Sequence, residues 1–103
     1  MAYTIELTRR ALRKLQAVPG TIRAQIKPVI SSLADDPRPA GVASVKELDK
    51  CYRLRRGDYR IIYAVYDDRL VVLILSVADR KAAYTTKEIA AIRKELKRRL
   101  SAS

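Results

Sequence analysis

Histidine is absent from the 103 residues, and cysteine occurs once, as Cys51. A lone thiol makes no internal disulfide, and without imidazoles a zinc site is effectively excluded. The same absences remove Ser-His and Cys-His nucleophile pairs and the usual general base near neutral pH. Any chemistry must run on Arg, Lys, Tyr, Asp and Glu, and no metal or cofactor is expected. No run of 18 apolar residues is present, so no membrane span is expected. The opening MAYTIELTRR lacks the basic and long apolar regions of a signal peptide, so the expected location is cytoplasmic.

Negative charge is also scarce. The 22 Lys and Arg stand against 11 Asp and Glu, a net charge of +11. That excess repels itself in a compact fold and suits a polyanionic partner, nucleic acid first. The apolar fraction of 49% is that of an ordinary globular chain, and the length predicts one domain over 1–103.

Periodicity predicts a strand at YTIEL (3–7), then a helix over 9–18 capped by Thr8, with Ala11, Leu12 and Leu15 as its apolar stripe. Pro19-Gly20 ends that helix. Thr21 is expected to cap a second one running to about Ala34, with Ile22, Ile26, Val29, Ile30 and Leu33 on one side and a kink at Pro28. A loop comes next at 35–41, then a short strand at 44–48. CYRLRR (51–56) and YRIIYAVY (59–66) flank a Gly57-Asp58 hairpin turn. A turn at 67–69 leads into LVVLILSV (70–77), apolar enough for a strand covered on both faces. Thr86 to Leu100 reads as a last helix through Ile89, Ile92, Leu96 and Leu100, with a frayed SAS tail after it. The expected class is α+β: a strand and αα-hairpin packed on a mainly antiparallel twisted sheet, with a C-terminal helix over its other face.

Strand alternation sorts the arginines of YRLRRGDYRIIY. Tyr52, Leu54 and Arg56 fall on one face with Tyr59, Ile61, Tyr63 and Val65. Arg53, Arg55 and Arg60 fall on the other, away from the helical hairpin, and Arg80 can join them from beyond the last strand. Such a cluster is either an anion site, since guanidinium presents a planar fork to phosphate, or a solvated face paired to carboxylates. Tyr84 either anchors the last helix or stacks on a base. Arg9, Arg10, Arg13 and Lys14 read first as a solvated helix face. Arg93, Lys94, Lys97, Arg98 and Arg99 form the basic side of the last helix.

The order of elements, and above all CYRLRRGDYRIIYAVYDDRLVVLILSVADRKAAY (51–84), resembles the RelE/ParE superfamily of toxins, the RelE branch most closely. The resemblance implies a RelE-like fold and an endoribonuclease that cuts mRNA in the ribosomal A site. In such an enzyme the ribose 2′-OH attacks the scissile phosphate. Its partners would be the ribosome with its A-site mRNA and a cognate acidic antitoxin. By position it assigns catalytic roles to Arg53, Arg55, Arg60, Arg80 and Tyr84. It also implies that the last helix is displaceable by the antitoxin, while its basic side meets ribosomal RNA. Arginine at 53 and 55 leaves no ready general base, and Asp58, Asp79 and Glu47 are the carboxylates to place. The alternative within the superfamily is a ParE-like protein that inhibits DNA gyrase by binding.

Overall fold

The computed structural model describes residues 2–81 and 85–102, with side chains described as far as residue 99. Tyr84 and the side chain of Leu100 therefore lie outside the described residues. The element order is β1 (Thr4–Leu7), α1 (Arg9–Ala17), α2 (Gly20–Ser32), β2 (Ala43–Ser44), β3 (Cys51–Arg56), β4 (Tyr59–Tyr66), β5 (Val71–Asp79) and α3 (Thr86–Ala102). The five strands form one sheet in the order β1-β5-β4-β3-β2. Only β1, at one edge, is parallel to its neighbour.

Local chemistry explains most boundaries. The Thr8 hydroxyl accepts the Ala11 amide at 3.0 Å, as an N-cap should. Gly57 has φ +60 while Asp58 is not left-handed, which gives the strands the tight turn their twist requires. Other expectations need correction. Pro19, not Thr21, is the N-cap of α2, and that helix ends at Ser32. Proline has no amide to leave unsatisfied but also no side-chain acceptor, so α2 starts without a side-chain cap, and Thr21 sits inside the first turn. The short strand is Ala43–Ser44, not 44–48, because Val45 and Leu48 turn inward as buried anchors of a loop. The last helix continues through Ala102, two residues past the expected end at Leu100.

Two apolar layers sandwich the sheet. On one face α1 and α2 bury Ala11, Leu15, Val18, Ile26, Ile30 and Leu33 against Ile61, Tyr63, Val65, Val72, Ile74 and Val77. Leu12 is not part of that stripe and stands 45% exposed; Val18, just past the helix, joins the core with Ala11 and Leu15. On the other face α3 lays Ile89 and Ile92 over Cys51, Ile62, Ala64, Leu73 and Leu75. The run from Val71 to Val77 is apolar because both of its faces are covered.

The side-chain alternation of β5 is interrupted once. Ile62 pairs with Ser76 but Tyr63 pairs with Ile74, leaving Leu75 as an extra residue, a β-bulge. Before the bulge the even-numbered residues Val72 and Ile74 face the helical hairpin; after it the odd-numbered Val77 does. Leu75 and Ser76, neighbours in sequence, therefore both serve the α3 face.

The first turn of α3 is tied down by charge. The Thr85 hydroxyl accepts the Glu88 amide at 3.1 Å. The Glu88 side chain is only 4% exposed and accepts from Ser76 Oγ and Arg10 Nη2, with Lys14 Nζ at 3.3 Å. Burial pushes this carboxyl up, but the Ser76 hydroxyl, Arg10 and Lys14 outweigh it and hold it below the usual glutamate value. No helix among the described residues is long and apolar enough to cross a membrane.

Two unfolding measurements test these layers. Ile61→Ala, fully buried under the helical hairpin, should cost about 2–5 kcal/mol in denaturant unfolding. A carboxyl with a lowered folded pKa stabilises above its unfolded value, about 4.3, and loses that contribution as pH falls through the folded value. Chemical denaturation between pH 6 and pH 3 should therefore show a steeper loss for wild type than for Glu88→Gln.

Candidate functional site

Hairpin register brings three of the expected arginines together. Arg55 pairs directly with Arg60, and Arg53 pairs with Ile62, the next pleat along. All three line an open cleft of about 330 Å³ with a side wall of Gly41 and Ala43, Ala43 being the strand neighbour of Arg53. This is the same sheet face that α3 covers further along, so the helix occupies one half and the arginines the other. Arg56 lies on the other face, opposite Tyr59, and is exposed.

The small residues of the wall are held by a polar clasp. Arg38 donates to both carboxylate oxygens of Asp67 (3.2 and 2.6 Å) and to the Tyr52 hydroxyl at 2.9 Å. The Tyr3 hydroxyl donates to Asp67 at 2.6 Å, and the buried Tyr63 hydroxyl to the Pro37 carbonyl at 2.7 Å. Arg38 and Tyr3 keep Asp67 ionised, below the usual aspartate range. Gly41 at φ +93 lets the loop turn back beside the sheet.

Like charges directly opposite on a sheet repel, by roughly 0.2–1 kcal/mol for such a pair. Local bonds relieve the Arg55–Arg60 contact only in part. Arg55 Nε donates to the Gly57 carbonyl at 3.2 Å, which fixes its stem and leaves the two terminal nitrogens of its fork for other partners. Arg60 is half-buried, and its Nη1 is buried with no hydrogen-bond partner among the described residues. A buried donor without a partner costs about 1–3 kcal/mol. An anion with several acceptor oxygens relieves both the repulsion and the unmet donor, which a solvated strand face would not need.

Arg80 stands just beyond the lining of this cleft. Its amide donates to the Asp58 carbonyl at 2.8 Å, continuing the register that pairs Tyr59 with Asp79 and Arg60 with Ala78. Arg80 is exposed in the turn just after β5; continuing the alternation of β5 by one residue puts it on the arginine face, with Asp79 on the hairpin face. Asp79 is thus turned away from the cluster, and its Oδ1 accepts the Lys81 amide at 3.1 Å. Glu47 is distant too, in the loop where its carbonyl accepts from Arg93 at 3.0 Å. Asp58 sits in the hairpin turn, and no carboxylate is among the residues lining the cleft. Burial pushes Cys51 up to about 12, so it is no nucleophile.

Sequence reasoning missed Ser76, Glu88 and the Gly41–Ala43 wall. The Thr85-x-x-Glu88 spacing of a capping box was available as a signal for Glu88. Nothing local marks Ser76. Of the basic helix residues, Arg10 and Lys14 are committed to Glu88, whereas Arg9, Arg13, Lys94 and Arg98 flank a groove between α1 and α3. Glu95 in that groove is paired with Arg98 and Arg99.

The family described as ParE toxin of type II toxin-antitoxin system, parDE, matches residues 5–84. The chain is 30% identical to the mRNA interferase toxin RelE of Escherichia coli K12, over 85% of this chain and 94% of that protein. Among solved structures, a double-arginine mutant of E. coli toxin RelE in the free state superposes with a TM-score of 0.73 at 28% identity, covering 92% of this chain and 98% of that one. The toxin–antitoxin complex RelBE2 of Mycobacterium tuberculosis gives 0.69 at 30% identity, covering 78% and 100%.

If the cleft binds phosphate-like anions, they stabilise the folded state by mass action. Phosphate should raise the melting temperature above that in sodium chloride of equal ionic strength. Arg53→Ala/Arg60→Ala should abolish most of that difference in parallel thermal melts.

Proposed function

The chain belongs to the RelE/ParE toxin superfamily, on its RelE-like branch, and we propose that it is the toxin of a type II toxin–antitoxin pair that cleaves mRNA on the ribosome. The observation that carries this reading is the cleft lined by Arg53, Arg55 and Arg60. In the proposed reaction the ribose 2′-OH attacks the adjacent phosphorus, its proton passes to solvent water, and the bond to the 5′ oxygen breaks. The products are a 2′,3′-cyclic phosphate and a 5′-OH. Negative charge gathers on the non-bridging oxygens as the phosphorane forms, where Arg53, Arg55 and Arg60 stabilise it without reorganising. Arg80, at the end of the ladder, serves as proton donor to the departing 5′ oxygen. Tyr84 is assigned by resemblance to stack on a base.

A guanidinium does not act as general base near neutral pH, and the cleft lining has no carboxylate. Electrostatic stabilisation and in-line positioning of the 2′-OH therefore carry the rate. The antitoxin is an acidic amphipathic segment, attracted by the net charge of +11. The exposed cations of α3, Arg93, Lys94 and Lys97 among them, contact ribosomal RNA through its phosphates, a contact weakened by salt.

Primer extension on translating mRNA tests this. Wild type should cut in the A site, and Arg60→Ala should cut roughly 10²–10³-fold more slowly with its melting temperature retained. No cutting by wild type, or full cutting by Arg60→Ala/Arg80→Ala, defeats the proposal. The ParE description of the matching family favours one second reading, inhibition of DNA gyrase by binding. Blocked supercoiling with mRNA left intact would establish it instead.

A further inference from the structure

We infer that Glu88 and Ser76 form a positioning pair that holds the bulged register of β5 and so keeps Arg80 on the arginine face. The inference rests on the proposed role of Arg80. Its geometry begins at Leu75, the extra residue opposite the Ile62–Tyr63 step. Ser76 is the first residue after the parity change, and its hydroxyl, 1% exposed, donates to Glu88 Oε2. Without the bulge, Ser76, Ala78 and Arg80 would share the parity of Val72 and Ile74 and face the helical hairpin.

Apolar packing does little to choose between these registers, since β5 is apolar on both faces. A buried hydroxyl does choose. Turned toward the hairpin core it would sit among Ile61, Tyr63 and Ile74, whereas on the α3 face it meets a carboxylate. That carboxylate is itself fixed from α1 by Arg10 and Lys14, and from α3 by the Thr85 cap on its own backbone. Helix α1 and the first turn of α3 thus fix the carboxylate that receives the Ser76 hydroxyl from β5. Arg80 comes four residues after Ser76, and its amide is bonded to Asp58 in the bulged register. Glu88 is too buried to touch an RNA phosphate; it acts through β5.

Amide exchange by NMR reads the register at the Arg80 N–H, whether or not the protein cuts RNA. Ser76→Ala and Glu88→Ala should speed exchange at Arg80 and Ala78 at least tenfold and leave amides before the bulge protected. Glu88→Gln, whose amide oxygen still accepts the Ser76 hydroxyl, should restore most of that protection. Ile30→Val, in the opposite core, should loosen the protein without singling out Arg80. The Nε–H signal of Arg80, titrated with inorganic phosphate, should shift in wild type and Glu88→Gln but not in Ser76→Ala or Glu88→Ala. Where mRNA is cut, Ser76→Ala should lower kcat about tenfold with KM within twofold. Unchanged Arg80 exchange, or an Arg80 phosphate response equal in all variants, overturns the inference. A wild type that shows both NMR effects yet cuts no mRNA overturns the functional proposal and leaves the positioning pair standing.

Discussion

The constraint on which the structure depends is the side-chain parity of β4 and β5. In β4 that parity separates Ile61, Tyr63 and Val65, which build the hairpin core, from Arg60 and Ile62 on the α3 face. A slip of one residue would bury a guanidinium under α1 and α2 and take Ile61, Tyr63 and Val65 out of the hairpin core, so register there is strongly specified. In β5 the same rule is broken once, at Leu75, and the break reverses which residues face which layer. The arginine face is complete only with that reversal.

A second consequence is how one sheet face serves two purposes. Its half nearest the start of β3 is dry, with Cys51, Ala64, Leu73 and Leu75 under Ile89 and Ile92. Its other half ends in the hairpin turn and presents Arg53, Arg55 and Arg60 to solvent in an open cleft. Glu88 lies where the first turn of α3 meets the sheet. It neutralises Arg10 and Lys14, two cations that would otherwise add to the self-repulsion of a strongly basic chain. The polar clasp of Arg38, Asp67, Tyr52 and Tyr3 does comparable work at the far edge, holding the loop whose Gly41 forms the side wall.

The arginine cleft carries a cost in stability. Arg55 opposite Arg60 and the unmet donor of Arg60 both cost free energy, and a mixed polar pair would suit the hairpin better. Strain of this kind is expected where the surrounding layers over-determine the backbone, as two apolar cores do here. The solved relatives include a toxin bound to its antitoxin, and in the proposed function the acidic partner answers the same excess of positive charge that the cleft concentrates.

Much of this was legible in the chain itself, for definite reasons. Alternation in YRLRRGDYRIIY assigned Arg53, Arg55 and Arg60 to one face because period two leaves no choice once Ile61 and Tyr63 must be buried. Thr8 was readable as a cap, and Ile89 with Ile92 as a buried stripe, because those signals are local. Leu12 was misassigned because helical spacing gives a stripe but not its width, and the hairpin geometry left that side exposed. The Val71–Val77 run is apolar on both sides, so no pattern in it could reveal the bulge. The Thr85-x-x-Glu88 spacing suggests a carboxylate turned back onto its own helix end, yet both of its oxygens are taken by Arg10, Ser76 and Lys14. By itself, then, the sequence determined the elements, the basic character and the arginine face of the hairpin. Which face Arg80 shares, and where the carboxylates lie, only the tertiary structure decided, because both depend on residues far apart in the chain meeting across β5.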